Sequence, residues 1–154
     1  MTLAIEAPDR IGEAGDEAIA DVEEQLSMLF SRIRTVWKES AEQVHPDLQP
    51  AGYKLISAIT RVGTTNAHVL ADMFDMDKSV VSRQIRMLEE LGLVETRPDE
   101  TDGRVRLLVA TPNALEAVHG VRDRNQQRLR DVLAGHPESE LRSFANLLRS
   151  IGDA

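Results

Sequence analysis

Two long apolar stripes, one at each end of the chain, constrain most strongly what it can fold into. Ile19, Val22, Leu26, Phe30, Ile33 and Trp37 recur three or four residues apart. That is the spacing of one helix face, sustained for roughly six turns from Ile19 to about Ala41. At the other end Leu115, Val118, Leu129, Val132 and Leu133 mark a long helix ending at Gly135. Pro137 then starts a last helix with Leu141, Phe144, Leu148 and Ile151 on its inner side. A chain of 154 residues cannot leave such faces in water. Packing the two ends together and against a second copy would bury them, which predicts a homodimer.

Between these ends the pattern changes. "HPDLQPAG", His45 to Gly52, interrupts with two prolines and a glycine. A helix over Gly52 to Arg61 follows, with Leu55, Ile56 and Ile59 inward, and Gly63 ends it. Thr65 or Asn66 can cap the short helix "AHVLADMF". "DKSVVSRQIRMLEELGLVE", from Asp77, is a strong helix with Asp77 as its cap. Leu93 to Arg97 and Val105 to Thr111 are β-prone runs around a turn-forming "PDETDG", which predicts a hairpin. In the second run Val105, Leu107 and Val109 are expected on one face, with Arg104 and Arg106 on the other. Thr111 and Pro112 suit the start of the next helix.

The helix after Asp77 carries the chemistry. At about 100° per residue, Val81, Ile85 and Leu88 fall within about 60° of arc and form a buried side. Ser79, Ser82, Arg83 and Arg86 occupy the opposite side. Serine can reach base edges or phosphates, and arginine can bond guanine O6 and N7 with both arms. Lys78, Gln84 and Arg97 are candidates for phosphate contacts. Upstream, "LADMFDMDKSVVSRQI" fits a helix-turn-helix in which Ala71 is the small residue at the crossing. Asp75 stands where such turns usually place a left-handed glycine, a conformation that aspartate tolerates. In "DETDGRVR", Arg104 and Arg106 flank a loop tip that could enter a minor groove, with Asp102 placed to hold the Arg104 guanidinium.

Net charge first argues against nucleic acid, at −8. Residues 1–24, however, hold eight acids and one base, leaving the remainder near neutral. With 42% hydrophobic and 29% charged residues the composition is globular, and no apolar run reaches the roughly 20 residues of a membrane span. The acidic start lacks the form of a signal peptide. Cysteine is absent, which fits a cytoplasmic location and leaves no thiol for sensing. His45, His68, His119 and His136 show no ligand-like spacing, so neither metal nor cofactor is expected. No nucleophile elbow, phosphate-cradling glycine loop or paired-carboxylate motif points to an enzyme.

The stretch from about Gly63 to Pro112 resembles the winged-helix domain of MarR-family bacterial transcription regulators. The resemblance rests on "LADMFDMDKSVVSRQIRMLEELGLVETR" and on "DETDGRVRLLVATP", whose Asp102 and Arg104 match the family's D-x-R wing motif. It implies a mainly α fold with a small β-hairpin wing, a winged helix-turn-helix flanked by dimerisation helices. On that view residues 1–17 are an acidic, disordered lead-in and 18–47 the first dimerisation helix. Residues 48–111 form the DNA-binding domain, and 112–154 the remaining dimerisation helices. The implied partners are double-stranded DNA at a pseudo-palindromic operator and a second copy of the chain. A small aromatic or phenolic effector is also implied, and Trp37 and Tyr53 are candidates to line its pocket. The competing expectation is a winged-helix dimer serving as a protein–protein interaction module.

Overall fold

The computed structural model describes residues 12–153. The elements in chain order are α1 (Glu13–Val44), α2 (Pro50–Val62), β1 (Thr64–Thr65), α3 (Ala67–Phe74), α4 (Lys78–Glu90), β2 (Val94–Pro98), β3 (Arg106–Ala110), α5 (Pro112–Leu133) and α6 (Glu138–Gly152). Most of the acidic lead-in lies outside the described residues. Its last part, from Glu13, is already helical despite Gly15.

The chain divides into two units after Glu39. Within the first, α1 keeps Ile19, Val22, Phe30, Ile33 and Trp37 exposed, so its apolar stripe is real but uncovered. The second unit, from Ser40 onward, holds the core. There Ala41, Leu48, Leu55, Ile56 and Ile59 meet Leu70, Val81 and Leu88, with Leu108, Ala114 and Val118 closing the cluster. Burying each such aliphatic side chain contributes about 1.5–3 kcal/mol, so this unit carries most of the hydrophobic stabilisation. The last turn of α1 is fastened to α5: Asn125 Nδ2 donates to the buried Ser40 Oγ at 3.0 Å, and Arg124 to Gln43 Oε1 at 2.8 Å.

Local chemistry sets the element boundaries. The Asn66 side chain accepts from the Val69 amide at 3.0 Å and starts α3. Asp75 ends it at φ 49°, ψ 46°, the left-handed conformation expected there. The Met76 amide bonds back to Ala71 O at 2.9 Å, which closes the turn of the helix-turn-helix. Gly92 performs the same task after α4 at φ 70°, with Leu93 N bonded to Leu88 O at 2.9 Å. Thr111 caps α5 by accepting from Ala114 N, and its hydroxyl donates to Gly92 O at 2.9 Å.

The β region is larger than a hairpin. β1 adds to it, giving an antiparallel sheet ordered β1-β3-β2, with Thr65 opposite Leu108 and Thr96 opposite Leu108 from the other side. The β-branched pair Thr64-Thr65 favours a strand, but two residues carry no readable alternation. Leu107 and Val109 share one face of β3 and Arg106 lies on the other, as strand alternation predicts. Leu108 and Ala110 are the buried residues, while Leu107 and Val109 are half-buried. Every position from Leu107 to Ala110 is apolar, so the alternation that normally marks the inner face is missing from the sequence.

α6 has no buried residue among those described. Phe144, Leu147, Leu148 and Ile151 are exposed, as are Leu129 and Val132 on α5. Of these, Phe144, Leu148 and Ile151 are the ones expected to face inward.

Candidate nucleic-acid interface

The N-terminus of α4 is built by Asp77. Its Oδ1 accepts from the Ser79 amide at 2.7 Å. Hydrogen bonds from the Ser79 hydroxyl and amide hold the Asp77 carboxyl below the ordinary carboxylate range, aided by the nearby Arg83 charge. From this cap the helix turns Val81, Ile85 and Leu88 into the core. Lys78, Ser79, Ser82, Arg83 and Arg86 are left exposed, as the helical arc predicts.

Gln84 departs from that group. It is half-buried, its Oε1 has no hydrogen-bond partner among the described residues, and that oxygen lies 3.4 Å from where a Cβ on Gly52 would stand. Gly52 is buried in α2, and a Cβ there would also approach Leu48 Cδ1 to 2.7 Å. Gln84 therefore packs its oxygen against α2 rather than presenting it with the arginines. At about 100° per residue Gln84 falls about 40° from Leu88 and about 100° from Arg83, toward the buried side of the helix.

The loop joining β2 to β3 is ordered by its own carboxylates. Asp99 Oδ1 accepts from the amides of Thr101 at 2.7 Å and Asp102 at 3.1 Å. Asp99 N donates to Val105 O at 3.0 Å, and Val105 N to Asp102 O at 2.9 Å. Amide bonds from Thr101 and Asp102 push the Asp99 carboxyl below its ordinary value of 3.8. Asp102 Oδ1 accepts from the Arg104 backbone amide at 3.0 Å. So Asp102 fixes the backbone that carries Arg104, not the guanidinium, because the two-residue spacing suits an Asx-type turn.

Arg104 is exposed at the loop end. Arg106 shares the face of Leu108, opposite Leu107 and Val109 as expected, and turns toward α4. It lines a cleft of about 260 Å³ together with Ser82, Ile85, Arg86, Glu89, Thr96 and Leu108. Among the described residues Arg83, Arg86, Arg104 and Arg106 have no carboxylate partner, whereas Arg97 bonds Glu95 at 2.9 Å. Four unneutralised guanidinium groups on one helix and one loop form an anion-attracting surface. Sequence reasoning missed the contact of Glu89 with Thr96, whose hydroxyl donates to Glu89 Oε1. Spacing gives no signal for it, because the pair meets only once the turn at Gly92 folds back.

The other candidate residues lie elsewhere. Trp37 is 42% exposed on α1, and Tyr53 packs half-buried against the core. An apolar cleft of about 340 Å³ at the α5–α6 junction is lined by Leu133, His136, Glu140, Leu141 and Phe144, and by neither aromatic candidate. Among the described residues no group of three or more histidines and carboxylates could hold a metal ion. His68 pairs with Asp72 at 3.3 Å and His136 with Glu140 at 3.2 Å. No described helix is long and apolar enough to cross a membrane.

This geometry has counterparts. The family model described as "MarR family" matches residues 47–105, from the start of α2 through the loop of the sheet. An uncharacterised HTH-type transcriptional regulator of Bacillus subtilis, YxaD, is 26% identical over 121 residues, covering 79% of this chain and 85% of the relative. Streptococcus pneumoniae FabT, solved in complex with DNA, superposes with a TM-score of 0.76 at 16% identity, covering 88% of this chain and 98% of that one. An Escherichia coli MarR mutant, solved with operator DNA, gives 0.63 at 18% identity over 87% and 95%. At these identities the structures establish a shared fold. Residues 47–105, the helix-turn-helix and most of the wing, thus match the MarR family model within a fold shared with solved transcription regulators of that family.

Proposed function

We propose that the protein is a sequence-specific DNA-binding repressor acting as a homodimer on a pseudo-palindromic operator. The observation that carries this reading is the cluster of unpaired arginines. Arg83 and Arg86 stand on the exposed side of α4, and Arg104 and Arg106 at the loop end of the sheet, none with a carboxylate partner among the described residues. Ser79, Ser82 and Arg83 lie on the side that would enter the major groove, with Lys78 placed for a phosphate. Arg104 would enter the adjacent minor groove from a loop whose backbone Asp99 and Asp102 hold in place.

The uncovered apolar stripes of α1 and α6 support dimerisation. Single apolar side chains on a surface are ordinary, but whole stripes mark an interaction surface. A two-fold axis would bring two copies of α4 to successive major grooves, hence a pseudo-palindrome. Occupying such a site obstructs transcription, the simplest regulatory outcome. The two DNA-bound structures of the same fold support DNA as the partner rather than another protein.

Selection of bound duplexes from a random library tests the proposal. It should enrich one pseudo-palindrome, with light scattering giving twice the 17.1 kDa chain mass. A library that emerges unenriched would favour a protein-interaction module instead.

A further inference from the structure

Glu89 is the misplaced charge of this surface, a carboxylate on the α4 flank that faces the sheet, where it would repel phosphate. Its Oε1 accepts a hydrogen bond from the Thr96 hydroxyl on β2. The chain reversal between them does not need that bond. Gly92 N donates to Glu89 O at 3.0 Å and Leu93 N to Leu88 O at 2.9 Å, so the backbone turn is already closed. What the side-chain bond adds is a strap across the cleft between α4 and the sheet. That cleft is floored by Ile85 and Leu108 and flanked by Arg86 and Arg106. The bond is solvent-exposed, and exposed polar pairs contribute little to folding. Its effect on geometry is larger, because helix and wing would grip one duplex as two linked sites. For linked sites, the second contact is strong only when the spacing matches the target.

We propose that Glu89 and Thr96 are positioning residues: their hydrogen bond sets the separation of α4 and the wing, so that Arg83 and Arg104 engage the same duplex together. The inference rests on the DNA-binding reading above. Thr96→Val keeps the β-branched shape and strand preference while removing the donor. Glu89→Gln keeps an oxygen acceptor without the charge, and Glu89→Ala keeps neither.

The test is a double-mutant cycle on the selected palindrome, with each background combined with Arg104→Ala and its fold checked by thermal melting. In the parent protein Arg104→Ala should weaken binding about tenfold, and in Thr96→Val or Glu89→Ala only about threefold or less, since the wing is already out of register. Glu89→Gln should retain the full dependence on Arg104. An equal Arg104→Ala effect in every background overturns the inference while leaving DNA binding intact. So does a Glu89→Gln that behaves like Glu89→Ala, because charge alone would then explain the residue. Should Thr96→Val fail to fold, Glu89→Ala against Glu89→Gln decides the same question. A parent protein that binds no duplex overturns the DNA-binding reading and this inference with it, before any variant is compared.

Discussion

Replacing Gln84 by methionine should make the protein more stable without changing its affinity for DNA. The Gln84 oxygen is buried without a partner among the described residues and lies on the α2 side of α4, close to Gly52. An unmet buried acceptor costs about 1–3 kcal/mol, and the half-buried position of this side chain places it toward the low end. Methionine has a similar volume and length, so the site need not repack, and its helix preference is close to that of glutamine. Placing a thioether and methyl where the amide stood adds a few tenths of a kcal/mol of apolar burial at roughly 25 cal/mol per Å². The sum is a gain of about 1 kcal/mol, which for a chain of this length raises Tm by about 2–4 °C. Urea melts at matched protein concentration would show a higher midpoint at unchanged slope. Binding to the selected operator should stay within about twofold. A loss of stability by about 1 kcal/mol together with a tenfold loss of affinity would refute the reasoning, for the amide would then be facing DNA.

Asp75 and the wing loop give two further outcomes. Asp75→Gly should stabilise by about 0.5 kcal/mol, since left-handed backbone costs an L-residue more than glycine, while Asp75→Val should destabilise by about 1 kcal/mol or more. Urea melts decide this, and a destabilising Asp75→Gly would mean that the carboxylate itself is engaged. Asp99 is held below its ordinary value of 3.8 by the Thr101 and Asp102 amides, so its folded pKa lies under the unfolded one. The stabilisation is thus complete above the unfolded value and is lost as pH falls through the lower, folded value. The Thr101 and Asp102 amide resonances should titrate with a midpoint below 3.8. A midpoint at or above it would contradict the hydrogen-bonded loop.

Much of this surface was legible in the sequence because the informative residues act locally. Asp77, Asn66 and Thr111 cap the helices that follow them, and capping depends on two or three residues of chain. The left-handed turn at Asp75 likewise depends on its neighbours alone. Val81, Ile85 and Leu88 followed from a strong 3.6-residue period. What failed depended on tertiary context. The inner face of β3 was not legible because Leu107 to Ala110 offer apolar residues on both sides, and pairing with β1 and β2 chooses between them. Gln84, a candidate phosphate contact, instead turns its oxygen toward α2, where Gly52 on another helix leaves room for it. The Glu89–Thr96 contact and strand β1 exist only after the chain has folded back on itself.

Base reading by α4 is tested at Arg83. Affinities of the parent protein and Arg83→Ala would be compared on the selected palindrome and on duplexes substituted at each position of a half-site. The account predicts a loss of about 1–3 kcal/mol on the palindrome, with discrimination vanishing at one base pair and its symmetry mate. An equal loss on every duplex would reduce Arg83 to a phosphate contact. No loss at all would contradict the assignment of α4 as the reading helix.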